Sequence, residues 1–96
     1  MTTMKEQRKV EILDALSVRV FDLALELGDL REAYNLNARP SMQIRKRAQK
    51  VMFMADVFVN RFEDIFVANG FDMDGSLYSK YKRRLCLLND NMKFFL

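Results

Sequence analysis

The chain has 96 residues, of which 50% are hydrophobic and 30% charged, and it contains only three Gly and one Pro. This composition predicts one folded domain and excludes a disordered chain. His and Trp are absent and Cys occurs once, which excludes imidazole catalysis, histidine metal sites and disulfides within the chain. The net charge of +3 allows a nucleic-acid or acidic partner without requiring one.

The N-terminal segment argues against secretion. Lys5, Glu6, Arg8 and Lys9 stand where a signal peptide would have its apolar core, and no apolar run approaches the ~20 residues of a membrane span. A small secreted domain usually has several cysteines, whereas this chain offers only Cys86. We therefore expect a cytoplasmic protein with no membrane contact.

The first predicted element is a long helix at about residues 3–35. Its apolar residues recur at alternating intervals of three and four, the a/d pattern of a coiled coil or packed helix. They are Leu13, Leu16, Val20, Leu23, Leu27, Leu30 and Tyr34. Thr2 or Thr3 can cap its start, and Pro40 biases Arg39 away from helical geometry.

The second predicted helix covers about residues 40–69, with Pro40 well placed to open it. Its apolar stripe consists of Ile44, Ala48, Val51, Ala55, Phe58, Phe62 and Ile65. Gly70 is expected in the left-handed conformation that ends a helix, with Phe71 against Phe66 as in a Schellman motif.

The third predicted helix covers about residues 74–95. Asp74 can cap its start, and Met73 and Tyr78 can form a hydrophobic staple. Its stripe consists of Tyr78, Tyr81, Leu85, Leu88, Met92 and Phe95.

The helices carry charges that oppose their own dipoles, with basic starts and, in the first two, acidic ends. Each unfavourable charge costs a few tenths of a kcal/mol, and antiparallel packing offsets this by placing an acidic end beside a basic start. The sequence therefore predicts an all-α, three-helix, up-down-up antiparallel bundle built on a long helical hairpin.

The first two helices each carry a second group of apolar residues away from the main stripe. These are Val18, Phe21 and Leu25 in the first helix and Phe53, Met54 and Val57 in the second. A bundle of three helices leaves part of such faces uncovered. We expect a symmetric homodimer that buries Val18, Phe21 and Leu25, unless the third helix covers these groups.

Candidate catalytic groups are few. Asp22, Glu26 and Asp29 share a helical face that could bind a metal or act in acid–base chemistry, but Arg19 and Arg31 are near enough to pair with them as on an ordinary solvated face. The three glycines form no phosphate-binding motif. Cys86 lies among leucines and is expected to be buried and unreactive. We expect no enzyme activity, no catalytic residues, no metal and no cofactor.

Two basic clusters are the strongest polar signal. The first contains Arg39, Arg45, Lys46, Arg47 and Lys50, and the second contains Lys80, Lys82, Arg83 and Arg84. Tyr78 and Tyr81 interleave the second cluster, a mixture used to bind nucleic acids. Antiparallel packing sends the clusters to opposite ends of the bundle, where acidic helix ends can neutralise them.

Two functions fit these features. The first is a small intracellular protein-binding regulator, adaptor or inhibitor that acts through exposed apolar helix faces, for which the seven methionines supply adaptable contacts. The second is a homodimeric nucleic-acid-binding protein that contacts the phosphate backbone through the basic clusters. The low net charge favours the first.

Overall fold

A computed structural model describes residues 4–36, 42–71, 73 and 75–95. It contains three helices, α1 (Met4–Leu36), α2 (Met42–Ala68) and α3 (Ser76–Phe95), and no strand within those ranges. Each helix end falls within two residues of the position that the sequence predicts. The proposed caps Thr2, Thr3 and Asp74 and the proposed helix-opening Pro40 lie outside the described residues.

The central element of the bundle is α1. Both α2 and α3 pack along it, whereas α2 and α3 approach each other at few positions. The predicted a/d stripe of α1 supplies much of the core, because Leu13, Val20 and Leu27 are fully buried. The molecule is elongated, with extents of 56 × 20 × 17 Å. The sequence prediction of an all-α helical bundle is confirmed.

The stripes of α2 and α3 face the same core. The buried members are Ala48, Val51, Ala55, Phe62, Tyr81 and Leu88, and Phe66 is buried beside the stripe of α2. Two of them are alanines, whose small side chains permit a close approach between helices. The other predicted stripe residues are half-buried around this centre.

Aromatic rings join the end of α2 to the start of α3. The Phe62 and Tyr81 rings are stacked with centroids 3.7 Å apart, and the Phe66 and Tyr78 centroids lie 4.9 Å apart. The Tyr81 hydroxyl donates a hydrogen bond to Glu63 Oε1 at 3.2 Å. Burial, followed by the negative charge of Glu63, raises the pKa of Tyr81, so its phenol stays neutral at physiological pH.

A second group of rings joins the end of α1 to the end of α3. Tyr34 meets Phe94 and Phe95 edge-on, with centroids 5.9 and 5.1 Å away. Edge-to-face pairs of this kind contribute about 0.5–1.5 kcal/mol beyond the area they bury. Aromatic contacts therefore fix α3 at two separate levels of the bundle.

The predicted end of α2 is confirmed in detail. Gly70 has a φ of 63°, its N–H donates to the Val67 carbonyl at 3.1 Å, and the Phe71 N–H donates to the Phe66 carbonyl at 3.3 Å. The Phe66 and Phe71 rings lie 5.7 Å apart. These bonds and this contact make a Schellman motif with its hydrophobic closure.

Replacing Gly70 and Gly28 with alanine should have opposite effects on stability. Gly70→Ala should lower the free energy of unfolding by about 1 kcal/mol, because its φ of 63° disfavours an L side chain although no atom lies within 4 Å. Gly28→Ala should raise it by up to about 1 kcal/mol, because alanine favours a helix and its Cβ would meet only Asn91 Nδ2, at 3.4 Å. Urea denaturation measures both. Equal effects of the two substitutions would contradict this assignment.

Candidate protein-interaction surfaces

One apolar surface lies on α1. Val18, Phe21 and Leu25, here called the α1 outer face, have exposed fractions of 41%, 36% and 48%. At 100° per residue, Asp22 and Asp29 fall beside Leu25 on the same side of the helix, and both aspartates are exposed. The α1 outer face is therefore apolar and flanked by negative charge.

A second apolar surface lies on α2. Phe53 and Val57, here called the α2 outer face, have exposed fractions of 71% and 46%. Lys46 and Lys50 lie on the same side of the helix and are exposed. Met54, which the sequence grouped with Phe53 and Val57, is half-buried against the core, because it lies about 40° around the helix from Phe58, at the edge of the main stripe.

The third helix does not cover these groups, apart from one contact at Phe21. The Arg84 guanidinium carbon lies 5.5 Å from the centroid of the Phe21 ring, and Arg84 Nη1 donates to Ser17 Oγ at 2.8 Å. Ser17 is only 1% exposed. Arg84, predicted as a possible nucleic-acid contact, has its guanidinium in the packing between α1 and α3.

A buried hydrogen bond that the apolar periodicity did not predict joins α3 to α1. The buried Asn91 donates from Nδ2 to the Ala24 carbonyl at 2.9 Å. Small residues on α1 make room for this approach, because Ser17 and Ala24 are both buried and lie one heptad apart. A polar residue at such a position fixes helix register. The available signal was the spacing of Asn91 from Leu88, three residues along the predicted stripe.

The first basic cluster is partly neutralised. Arg47 Nε donates to Glu26 Oε1 at 2.6 Å, and the hydrogen bond and negative charge of Glu26 raise the pKa of Arg47. Arg45, Lys46 and Lys50 are exposed. Arg39, the other predicted member, lies outside the described residues.

The second basic cluster keeps Lys80, Lys82 and Arg83 exposed, whereas its two tyrosines differ in burial. Tyr81 is fully buried, and Tyr78 packs on Phe66. Tyr81 is therefore not available to stack on a base, whereas the half-buried Tyr78 has Lys82 Nζ 5.7 Å from its ring centroid and lines a surface groove with Lys82 and Arg83.

The two basic clusters lie closer together along α1 than the sequence suggested. Arg47 meets α1 at Glu26, and Arg84 meets it at Ser17. Ser17 and Glu26 lie nine positions apart, which corresponds to ~13 Å along the axis of α1, whereas the molecule is 56 Å long. The clusters are therefore not at opposite ends of the bundle.

The charged residues on the acidic side of α1 have other partners than those that the sequence predicted. Arg19 lies over the Phe58 ring at 5.5 Å, and Arg31 lies over the Phe94 ring at 5.1 Å. The carboxylate of Glu26 instead accepts the bond from Arg47 on α2. Within the described part of the chain, no group of His, Cys, Asp or Glu is arranged to hold a metal ion.

Cys86 is exposed, so the prediction of a buried thiol is wrong. Its neighbours Leu85 and Leu88 occupy the side of α3 that faces the core, and the turn of 100° per residue carries Cys86 away from them. It borders a shallow surface groove with Met73, Lys82 and Arg83.

No described helix is long and apolar enough to cross a membrane.

Comparisons with known proteins found no matching family model, no matching curated protein and no matching solved structure.

Arg84 and its neighbour Arg83 provide a matched test of the packing between α1 and α3. Arg84→Gln should lower the free energy of unfolding by about 1–2 kcal/mol, because it removes the bond to Ser17 and the contact with Phe21. Arg83→Gln should change it by less than about 0.5 kcal/mol, because Arg83 is exposed. Urea denaturation of both variants measures the difference. If Arg84→Gln lowers the free energy of unfolding as little as Arg83→Gln does, Arg84 lies in solvent rather than in the bundle.

Proposed function

We propose that this protein is a small non-enzymatic, protein-binding regulator, adaptor or inhibitor of the cytoplasm that acts through its α1 and α2 outer faces. The observation that carries the proposal is the exposure of Leu25 and Phe53, at 48% and 71%, on helices whose other faces are already packed. Contiguous exposed apolar groups with polar neighbours are typical of interaction surfaces.

The proposed scaffold is an up-down-up bundle, supported by the order of contacts between helices. Along α1, the contacts to α2 run from Arg19 with Phe58 to Glu26 with Arg47, so the residue numbers change in opposite directions. An up-down-up arrangement leaves α1 between two neighbours and one side of it open to a partner.

The contacts from α1 to α3 run in the same direction along both helices. Ser17 meets Arg84, and Ala24 meets Asn91, so both numbers rise by seven. This parallel order completes the proposed up-down-up topology.

Binding of protein is better supported than binding of nucleic acid. Two of the candidate cations, Arg47 and Arg84, already bind groups within the chain, and Tyr81 is buried. Phosphate recognition also gives no role to the exposed Phe53 and Val57, whereas aromatic and aliphatic anchors dominate protein interfaces.

Three forms of the protein separate the two functions: the wild type, the double variant Phe53→Ser with Val57→Ser, and the double variant Lys46→Glu with Lys50→Glu. Each is used to capture partners from native lysate treated with nuclease. The serine variant should lose a captured protein by about tenfold or more, because it removes apolar anchors. The charge-reversal variant should alter mainly the association rate.

All four substituted side chains are exposed, so circular dichroism should show unchanged helix content in both variants. The proposal fails if the wild type instead binds unrelated duplexes with sub-micromolar affinity at physiological salt and the charge reversal abolishes that binding. In that case the affinity should also fall with salt by a slope near 0.9 per phosphate contacted.

A further inference from the structure

The α1 and α2 outer faces are matched in spacing. On α1, exposed residues follow one another at intervals of four, three and four, in the order Val18, Asp22, Leu25 and Asp29. On α2, exposed residues have the same intervals in the order Lys46, Lys50, Phe53 and Val57. Such intervals form a straight ridge on a helix that packs into the groove of another helix.

The two ridges are opposite in charge. The α1 ridge carries Asp22 and Asp29, whereas the α2 ridge carries Lys46 and Lys50. Each ridge also presents two exposed apolar side chains, with exposed fractions between 41% and 71%. The two ridges are therefore complementary in charge, and contact between them would remove apolar groups of both from water.

Charge disfavours the two-fold contact of α1 on α1 that the sequence led us to expect. An isologous contact places the same patch of both copies together, so two α1 outer faces would bring Asp22 and Asp29 of one copy near the same residues of the other. Like charges opposed at an interface are unfavourable, and opposite charges favour both association rate and register.

We propose that the α1 outer face of one copy docks on the α2 outer face of a second copy of this chain. This inference rests on the proposed function, since it names a second copy as a partner of those faces. The proposed contact is heterologous: a pair joined through one α1 outer face and one α2 outer face retains one free face of each kind. Association then continues into a ring or an open chain.

Two double variants test this arrangement by mixing. The α1-face variant carries Val18→Ser and Leu25→Ser, and the α2-face variant carries Phe53→Ser and Val57→Ser. Each has one altered ridge and one intact ridge. The mass of the wild type, of each variant and of an equimolar mixture is measured by sedimentation from about 1 to several hundred micromolar.

The wild type should exceed the mass of two chains as its concentration rises, and the association should weaken with salt. Each variant alone should stay at the monomer mass of about 11.4 kDa. Their mixture should form a one-to-one complex of two chains, because the intact α2 ridge of one variant meets the intact α1 ridge of the other. Circular dichroism and a thermal melt verify that both variants remain folded.

Several results would overturn the proposal. A dimer of the α2-face variant alone would show a symmetric contact through α1, and a dimer of the α1-face variant alone would show one through α2. A mixture that stays monomeric, a wild type that stays monomeric throughout, or a wild type that stops at the mass of two chains would also reject it. If a monomeric wild type still captures a different protein through Phe53 and Val57, the proposed function stands and only the self-association fails.

Discussion

Burial of one face of α1 is the interaction on which the rest of this structure depends. Because α2 and α3 approach each other at few positions, each helix is held chiefly by its contact with α1, and Leu13, Val20 and Leu27 lie at the fully buried centre of that contact. Because α1 packs against two neighbours, much of its surface is covered, and Leu25 lies on the side that stays exposed.

Polar bonds help to hold α3 on α1, beside the edge-on contacts of Tyr34 with Phe94 and Phe95. The donors of Arg84 and Asn91 reach Ser17 and the Ala24 carbonyl. These directional bonds fix where α3 lies along α1, while the rings of Phe62 and Tyr81 connect it to α2. Since α3 reaches α1 through the side that carries Ser17, Leu25 remains exposed.

Periodicity was sufficient to predict the three helices, their buried stripes and the left-handed Gly70. It was not sufficient for Arg84, Asn91 or Cys86. A stripe gives the angle of a residue around its own helix, but the depth of a side chain depends on the size of the residues opposite it. Arg84 and Asn91 have bonding partners because Ser17 and Ala24 are small, and these two residues lie 67 positions away in sequence.

The same limit applies to the candidate interaction surfaces. The sequence placed Phe53 and Val57 away from the core correctly, because they lie far from the stripe, but it also included Met54, which lies at the edge of the stripe and packs against the core. Charge patterning identified the basic clusters, yet only the distances show that Arg47 already binds Glu26.

The central claim is that α1 uses one face to hold the fold and leaves the face with Leu25 exposed. Leu27→Ala and Leu25→Ala make the same change two residues apart, at exposed fractions of 0% and 48%. Urea denaturation under dilute, monomeric conditions should show a loss of about 2–5 kcal/mol for Leu27→Ala and less than about 0.5 kcal/mol for Leu25→Ala. A loss for Leu25→Ala as large as that for Leu27→Ala would contradict the account, because Leu25 would then belong to the core of the single chain.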